Sequence, residues 1–69
     1  MAGTEQAAAV RLLLTVEVAA ERLSISRTRM YALIKSGEVA SVRVGRLRRV
    51  PVAALDAFTA RLLTDQHAA

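Results

Sequence analysis

Cysteine is absent from this 69-residue sequence, and proline and histidine occur once each, as Pro51 and His67. Without cysteine there are no disulfides to support a small core and no thiol chemistry. With a single histidine, two residues from the last, neither a metal cluster nor a Cys/His or Ser/His/Asp nucleophile set can be assembled. No cofactor or metal is expected, and the chain is not expected to be an enzyme. Paired acids do not change that expectation. Glu17 and Glu21 share a helix face at i, i+4, but a carboxylate dyad needs a cleft that so short a chain cannot build. Long apolar runs are missing too, since no window approaches the roughly 18 consecutive residues a membrane helix needs. Residues 7–14 are too short for a signal peptide and carry their charge too late. A cytoplasmic protein with no membrane partner is the expectation.

What is present is one small domain's worth of chain, able to bury about 60% of the surface that its unfolded form exposes. Basic charge is concentrated within it. Ten Lys+Arg stand against six Asp+Glu, a formal net charge of +4 with a sequence pI near 11.2. Arg27, Arg29, Lys35, Arg43, Arg46, Arg48 and Arg49 share the stretch 27–49 with a single acid, Glu38, whereas the rest of the chain is slightly acidic. A local basic strip of this kind points to a polyanion. Arginine in place of lysine favours bidentate phosphate and base contacts, although the alanine-rich composition is equally what a GC-rich coding sequence would produce.

The hydrophobic pattern orders the chain. Residues 1–12 carry no cap or turn signal and read as a mobile arm. Thr15 caps a first helix in which Glu17 sits in the first turn and Val16, Ala19, Ala20 and Leu23 follow at i, i+3, i+4, i+7. Ser24-Ile25-Ser26 is a tight turn, with Ile25 available to plug the angle and Ser26 to cap a second helix from Arg27. Met30, Leu33 and Ile34 form the stripe of that helix, and Gly37 ends it. The period then changes from 3.6 to 2. Val42 and Val44 alternate with Ser41 and Arg43, Gly45-Arg46 makes a two-residue type II′ turn, and Leu47–Val50 return. Alternation sets Val42, Val44 and Val50 inward and Arg43 and Arg46 outward. Pro51 then closes the strand and suits the start of a third helix, whose apolar face is Val52, Leu55, Phe58 and Leu62 and which frays after Leu63 into a tail over 64–69. The expected fold is α+β and mostly helical: a winged helix-turn-helix ordered helix, helix, β-hairpin, helix, with its domain over residues 13–63.

The stretch Leu14 to Val39, "LTVEVAAERLSISRTRMYALIKSGEV", together with "VRVGRLRRVP" and Ala54-Leu55-Asp56-Ala57-Phe58, resembles the excisionase-type DNA-binding domain, a winged-helix relative of the MerR superfamily. The likeness spans roughly residues 13–63. It implies a second helix that enters the major groove of double-stranded DNA and a wing that lies against the minor groove or backbone. Position by position, it assigns Ser26, Arg27, Thr28, Arg29, Tyr31 and Lys35 to DNA contact from the helix, and Arg43, Arg46 and Arg48 to contact from the wing. Family members often carry an aromatic residue where Arg48 stands, and a polar or basic one where Leu47 stands. Arg48 therefore points either at DNA or along the domain surface.

The residues support this assignment unequally. Arg27 and Arg29 occupy the first turn of a helix, where positive charge opposes the dipole, so a phosphate or guanine partner explains them better than stability does. Ser26 is first of all a cap. Tyr31 either donates its hydroxyl to a phosphate or packs its ring on the wing, and Lys35 is either a backbone anchor or a partner of its own helix C-terminus. Arg46, at the hairpin tip, has no core role. Arg49 alternates onto a different face from Arg48 and is open to pairing with Glu38 or a helix C-terminus, and His67 is read as solvent-exposed.

Two DNA-level functions follow from the resemblance. One is a recombination directionality factor, copies of which bind side by side on direct repeats, bend the DNA and help an integrase to excise a mobile element. The other is a small transcription regulator. Residues 64–69 are not expected to supply a MerR-type dimerising helix, so head-to-tail association on DNA is the expected arrangement. An adaptor that docks an integrase or polymerase through the first helix and the arm is the non-DNA alternative.

Overall fold

Two hydroxyl caps set the starts of the first two helices. Thr15 is extended (φ −66°, ψ 160°), and its Oγ1 accepts the Val18 N–H at 3.1 Å to open α1 (Val16–Leu23). Ser26 repeats the geometry (φ −74°, ψ 159°) and accepts the Arg29 N–H at 3.1 Å to open α2 (Arg27–Ser36). Each such cap satisfies one of the backbone donors that a helix start leaves unpaired. Between the helices Ser24 adopts a left-handed φ of 57° and donates its N–H to the Ala20 and Glu21 carbonyls, while Ile25 follows half-buried. Gly37, at φ 87°, closes α2 and donates to the Leu33 and Ile34 carbonyls. The computed structural model describes residues 11–67.

After Gly37 the chain buries Val39 and enters a hairpin of β2 (Val42–Val44) and β3 (Leu47–Pro51). Val42 faces Arg49, Arg43 faces Arg48 and Val44 faces Leu47. Gly45 has φ 66° and Arg46 no positive φ, the combination that a type II′ turn uses and type I′ excludes. The opposite edge of β3 is also paired. β1 (Leu13–Leu14) runs antiparallel to it, Leu13 facing Pro51 and Leu14 facing Val50, so the sheet order is β1-β3-β2. α3 (Val52–His67) starts directly after Pro51, and the Val52 N–H donates to the Leu12 carbonyl at 2.9 Å.

Leu14, Val16, Ala19, Ala20, Met30, Val39, Val50, Leu55 and Phe58 form the core, and Leu23, Ile25, Leu33, Ile34 and Val52 pack half-buried around it. Each described element except the hairpin arm β2 supplies at least one of the buried side chains. Three helices on a small antiparallel sheet, with β2 and β3 projecting as a hairpin, make a winged helix-turn-helix of the α+β class.

Four expectations are corrected in detail. Val42 and Val44 do not point inward: they are 40% and 52% exposed, with Leu47 at 53% beside them. Directly paired residues share a side of the sheet, so the buried Leu14 and Val50 mark the core side, and Arg48, two residues before Val50, lies on it with Arg43 opposite. The valines of β2 therefore fall on the other side. The third helix does not fray at Leu63 but continues to His67, because no glycine or proline interrupts residues 52–67. β1 is a strand that two residues cannot announce by periodicity. Finally, among the described residues Arg49 does not pair with Glu38. Its Nη1 donates to the Arg48 carbonyl at 3.1 Å, while the Glu38 carboxylate accepts from Ser36 Oγ and the Glu38 carbonyl from Arg61. Most of the expected N-terminal arm, residues 1–10, and the last two residues of the expected tail lie outside the described residues.

Candidate nucleic-acid interface

The orientation of α2 follows from its buried stripe. Met30 is fully buried and Leu33 and Ile34 half-buried, so at 100° per residue the opposite face carries Thr28, Ala32 and Lys35. Arg27 and Tyr31 lie on one flank of that face, and Arg29 and Ser36 on the other. All seven are exposed. Ala32 near the centre leaves the face without a bulky side chain, so backbone and neighbouring side chains can approach a surface closely.

The wing stands beside the Tyr31 flank. Tyr31, Ile34, Lys35 and Arg48 line one open groove between α2 and the hairpin. Arg48 is half-buried there and donates from Nη1 to Ser41 Oγ at 2.7 Å, so its guanidinium lies along the groove rather than extending from the wing. Arg43 faces Arg48 across the hairpin, and Arg46 is exposed at the tip. Thus the fold gathers Arg27, Thr28, Tyr31, Lys35, Arg43 and Arg48 along one continuous surface of helix and wing. Arg46 extends that surface, and Arg29 borders it on the far flank of α2. Ser26 contributes its hydroxyl to the cap. A second groove, between α1 and α3, is lined by Arg22, Leu23, Val52, Leu55, Asp56 and Thr59 and contains none of these residues.

Arg27 has two side-chain neighbours on this surface. Its Nε donates to Glu17 Oε2 of α1 at 2.7 Å, and its Cζ stands 5.2 Å from the centroid of the Tyr31 ring. The Glu17 carboxyl is held below the usual carboxylate range, first by a backbone hydrogen bond in the first turn of α1, then by the hydrogen bond from Arg27, with a smaller contribution from the charges of Arg27 and Arg49. Glu17 in turn raises the affinity of Arg27 for its proton. The guanidinium is therefore charged at any physiological pH.

Sequence reasoning missed three participants. Glu17 lies ten residues before Arg27, outside any local helical spacing, so only the packing of α1 against α2 brings the two together. Ser41 acquires its role from the hairpin register. Ala32 could have been found by projecting α2 on a helical wheel, because it stands opposite the Met30 stripe.

The helix-turn-helix domain model matches residues 13–62, from β1 into α3. The chain belongs to this helix-turn-helix family. A curated relative described as "Probable excisionase", from Saccharopolyspora erythraea, is 58% identical to this helix-turn-helix chain over 59 residues, 86% of its length. The chain spans about 60% of the length of that relative. No solved structure matches it. Among the described residues no helix of this helix-turn-helix protein is long and apolar enough to cross a membrane.

Proposed function

We propose that this protein is a DNA-binding excisionase, a recombination directionality factor that binds duplex DNA, bends it and directs an integrase toward excision of a mobile element. The observation that carries this reading is the convergence of Arg27, Lys35, Arg43 and Arg48, extended by Arg46, on one helix-and-wing surface, in a chain closely similar to a protein described as an excisionase. Such a surface offers positive charge to phosphates and side chains to base edges, and contains nothing that would perform covalent chemistry. The role is binding, in the cytoplasm, with DNA as partner.

In this reading the exposed face of α2 enters the major groove. Thr28, Tyr31 and Lys35 contact the backbone or base edges, Arg27 and Arg29 reach bases or flanking phosphates, and Ser26 adds a phosphate contact from its capping position. Arg43 and Arg46 follow the adjacent backbone or minor groove, and Arg48 lines the cleft between helix and wing. One module of this size buries only about 600–1,000 Å² on DNA, so neighbouring copies bound head to tail on direct repeats supply the remaining affinity and the bend. Kinship with the MerR superfamily rests on the likeness of the helix-turn-helix and wing sequences.

Mobility shifts at two salt concentrations test the DNA reading. Affinity for duplex DNA should fall about 10- to 1,000-fold between 50 and 200 mM salt, as several phosphate contacts require. Affinity independent of salt would sink it. An excision assay with the integrase should be silent without this protein, and a promoter footprint with no effect on excision would favour transcriptional control instead.

A further inference from the structure

We propose that Glu17 is a specificity-determining positioning residue: it touches no DNA itself but holds the Arg27 guanidinium so that its outer edge is presented for base readout. The inference rests on the DNA-binding reading of the α2 surface. It adds a residue of the supporting helix to the machinery of recognition.

A guanidinium carries five N–H donors, one on Nε and four on the two Nη atoms. Glu17 engages the Nε donor at 2.7 Å, and the Tyr31 ring lies against the guanidinium, 5.2 Å from Cζ to centroid. Among the described residues Arg27 makes its one well-formed hydrogen bond through Nε, and only the Tyr31 side chain otherwise stands near the Nη donors. They form the end-on fork that matches two adjacent acceptors such as guanine O6 and N7. One side of the group is thus anchored, one face is covered and the remaining edge is open, with the side chain still 63% exposed. Arg27 is also in the first turn of α2, the part of a recognition helix that meets base edges.

The anchor is itself rigid. Glu17 follows Val16, which is 3% exposed, in a helix capped by Thr15 and packed through Ala19 and Ala20. Its backbone is thus anchored beside the core of the helix-turn-helix rather than in a loop, while the carboxylate itself is exposed. Stability does not explain the pair well, because exposed ion pairs contribute little and Arg27 opposes the α2 dipole. Pre-ordering a long side chain before DNA arrives does explain it, since the ordering cost then no longer falls on binding.

The test uses the full chain, a duplex that the wild-type protein enriches from a randomised pool, and a scrambled duplex of the same composition. Glu17→Ala should lower the preference for the enriched duplex roughly tenfold, as loss of a well-oriented arginine–guanine contact would. Affinity for the scrambled duplex should hold or rise, because an acid near phosphates is gone. Glu17→Asp, which keeps the charge but shortens the reach, should lose preference in the same direction. In an Arg27→Ala background, Glu17→Ala should leave the preference unchanged. Glu21→Ala, the same charge change one turn along α1, should affect both duplexes alike. Retention of preference in both Glu17 variants would overturn the proposal. So would an equal loss in the Arg27→Ala background, which would place the effect in the fold. If the wild-type protein enriches no duplex at all, the DNA-binding reading itself fails and takes this inference with it.

Discussion

Leu14 and Val50 face each other across the β1–β3 pair, 3% and 0% exposed, and so tie the residues before the first helix to the base of the wing. This contact makes β3 the central strand of the sheet and fixes the side of the hairpin that turns toward α2. The position of the wing relative to the recognition helix therefore depends on a strand two residues long.

Leu14→Ala is expected to destabilise the fold by about 2–5 kcal/mol, the usual range for removing a buried leucine. Leu63→Ala, at a position 61% exposed, should stay within about 0.5 kcal/mol of wild type. Urea denaturation of the two variants measures the contrast. Equal losses would mean that β1 contributes no more than an exposed helix position.

Gly37→Ala isolates a backbone effect. Nothing lies within 4 Å of a Cβ built at Gly37, yet its φ of 87° is unfavourable for any residue with a side chain. The expected cost is about 1–2 kcal/mol from conformation alone. It should appear in the unfolding midpoint with no change in denaturant dependence.

Arg29→Ala and Arg46→Ala should separate readout from anchoring. Loss of Arg29, on the flank of α2, should flatten the preference for cognate over random duplex by about 1–3 kcal/mol. Loss of Arg46, at the hairpin tip, should weaken binding to both and lower the salt slope by about one unit. Titrations against both duplexes at several salt concentrations check this, and identical effects would mean that helix and wing roles are misassigned.

Acid stability should carry the signature of Glu17. Its carboxyl pKa is lowered in the folded state, so the stabilisation it provides is present above the unfolded-state value, about 4.3, and is lost as pH falls through the lower folded-state value. Glu17→Gln should therefore lose less stability than wild type on going from neutral pH to below this window. The difference should shrink in high salt, because the pair is exposed. Denaturation midpoints across a pH series measure it, and parallel curves for the two proteins would contradict the ion pair in solution.

Much of this molecule is determined by its sequence alone, because the signals are local. Thr15 and Ser26 are caps whose hydroxyls meet backbone donors three residues on. Gly37 and Gly45 occupy the positive-φ positions that end a helix and turn a hairpin. The Val16–Leu23 and Met30–Ile34 stripes follow a 3.6 period, and the concentration of arginine in 27–49 is visible by counting. Tertiary structure decided what depends on distant partners. Alternation separated the two sides of the hairpin but placed Val42 and Val44 on the wrong one, inward with Val50. The pairing of Leu14 with Val50 settled that, sending Val42 and Val44 outward and laying Arg48 in the groove against Ser41. In the same way, a first-turn acid such as Glu17 reads as a helix-dipole residue until the packing of α1 on α2 brings it to Arg27. Caps and periods act within a few residues of chain, whereas register and ion pairing are set by elements that meet only when the core closes.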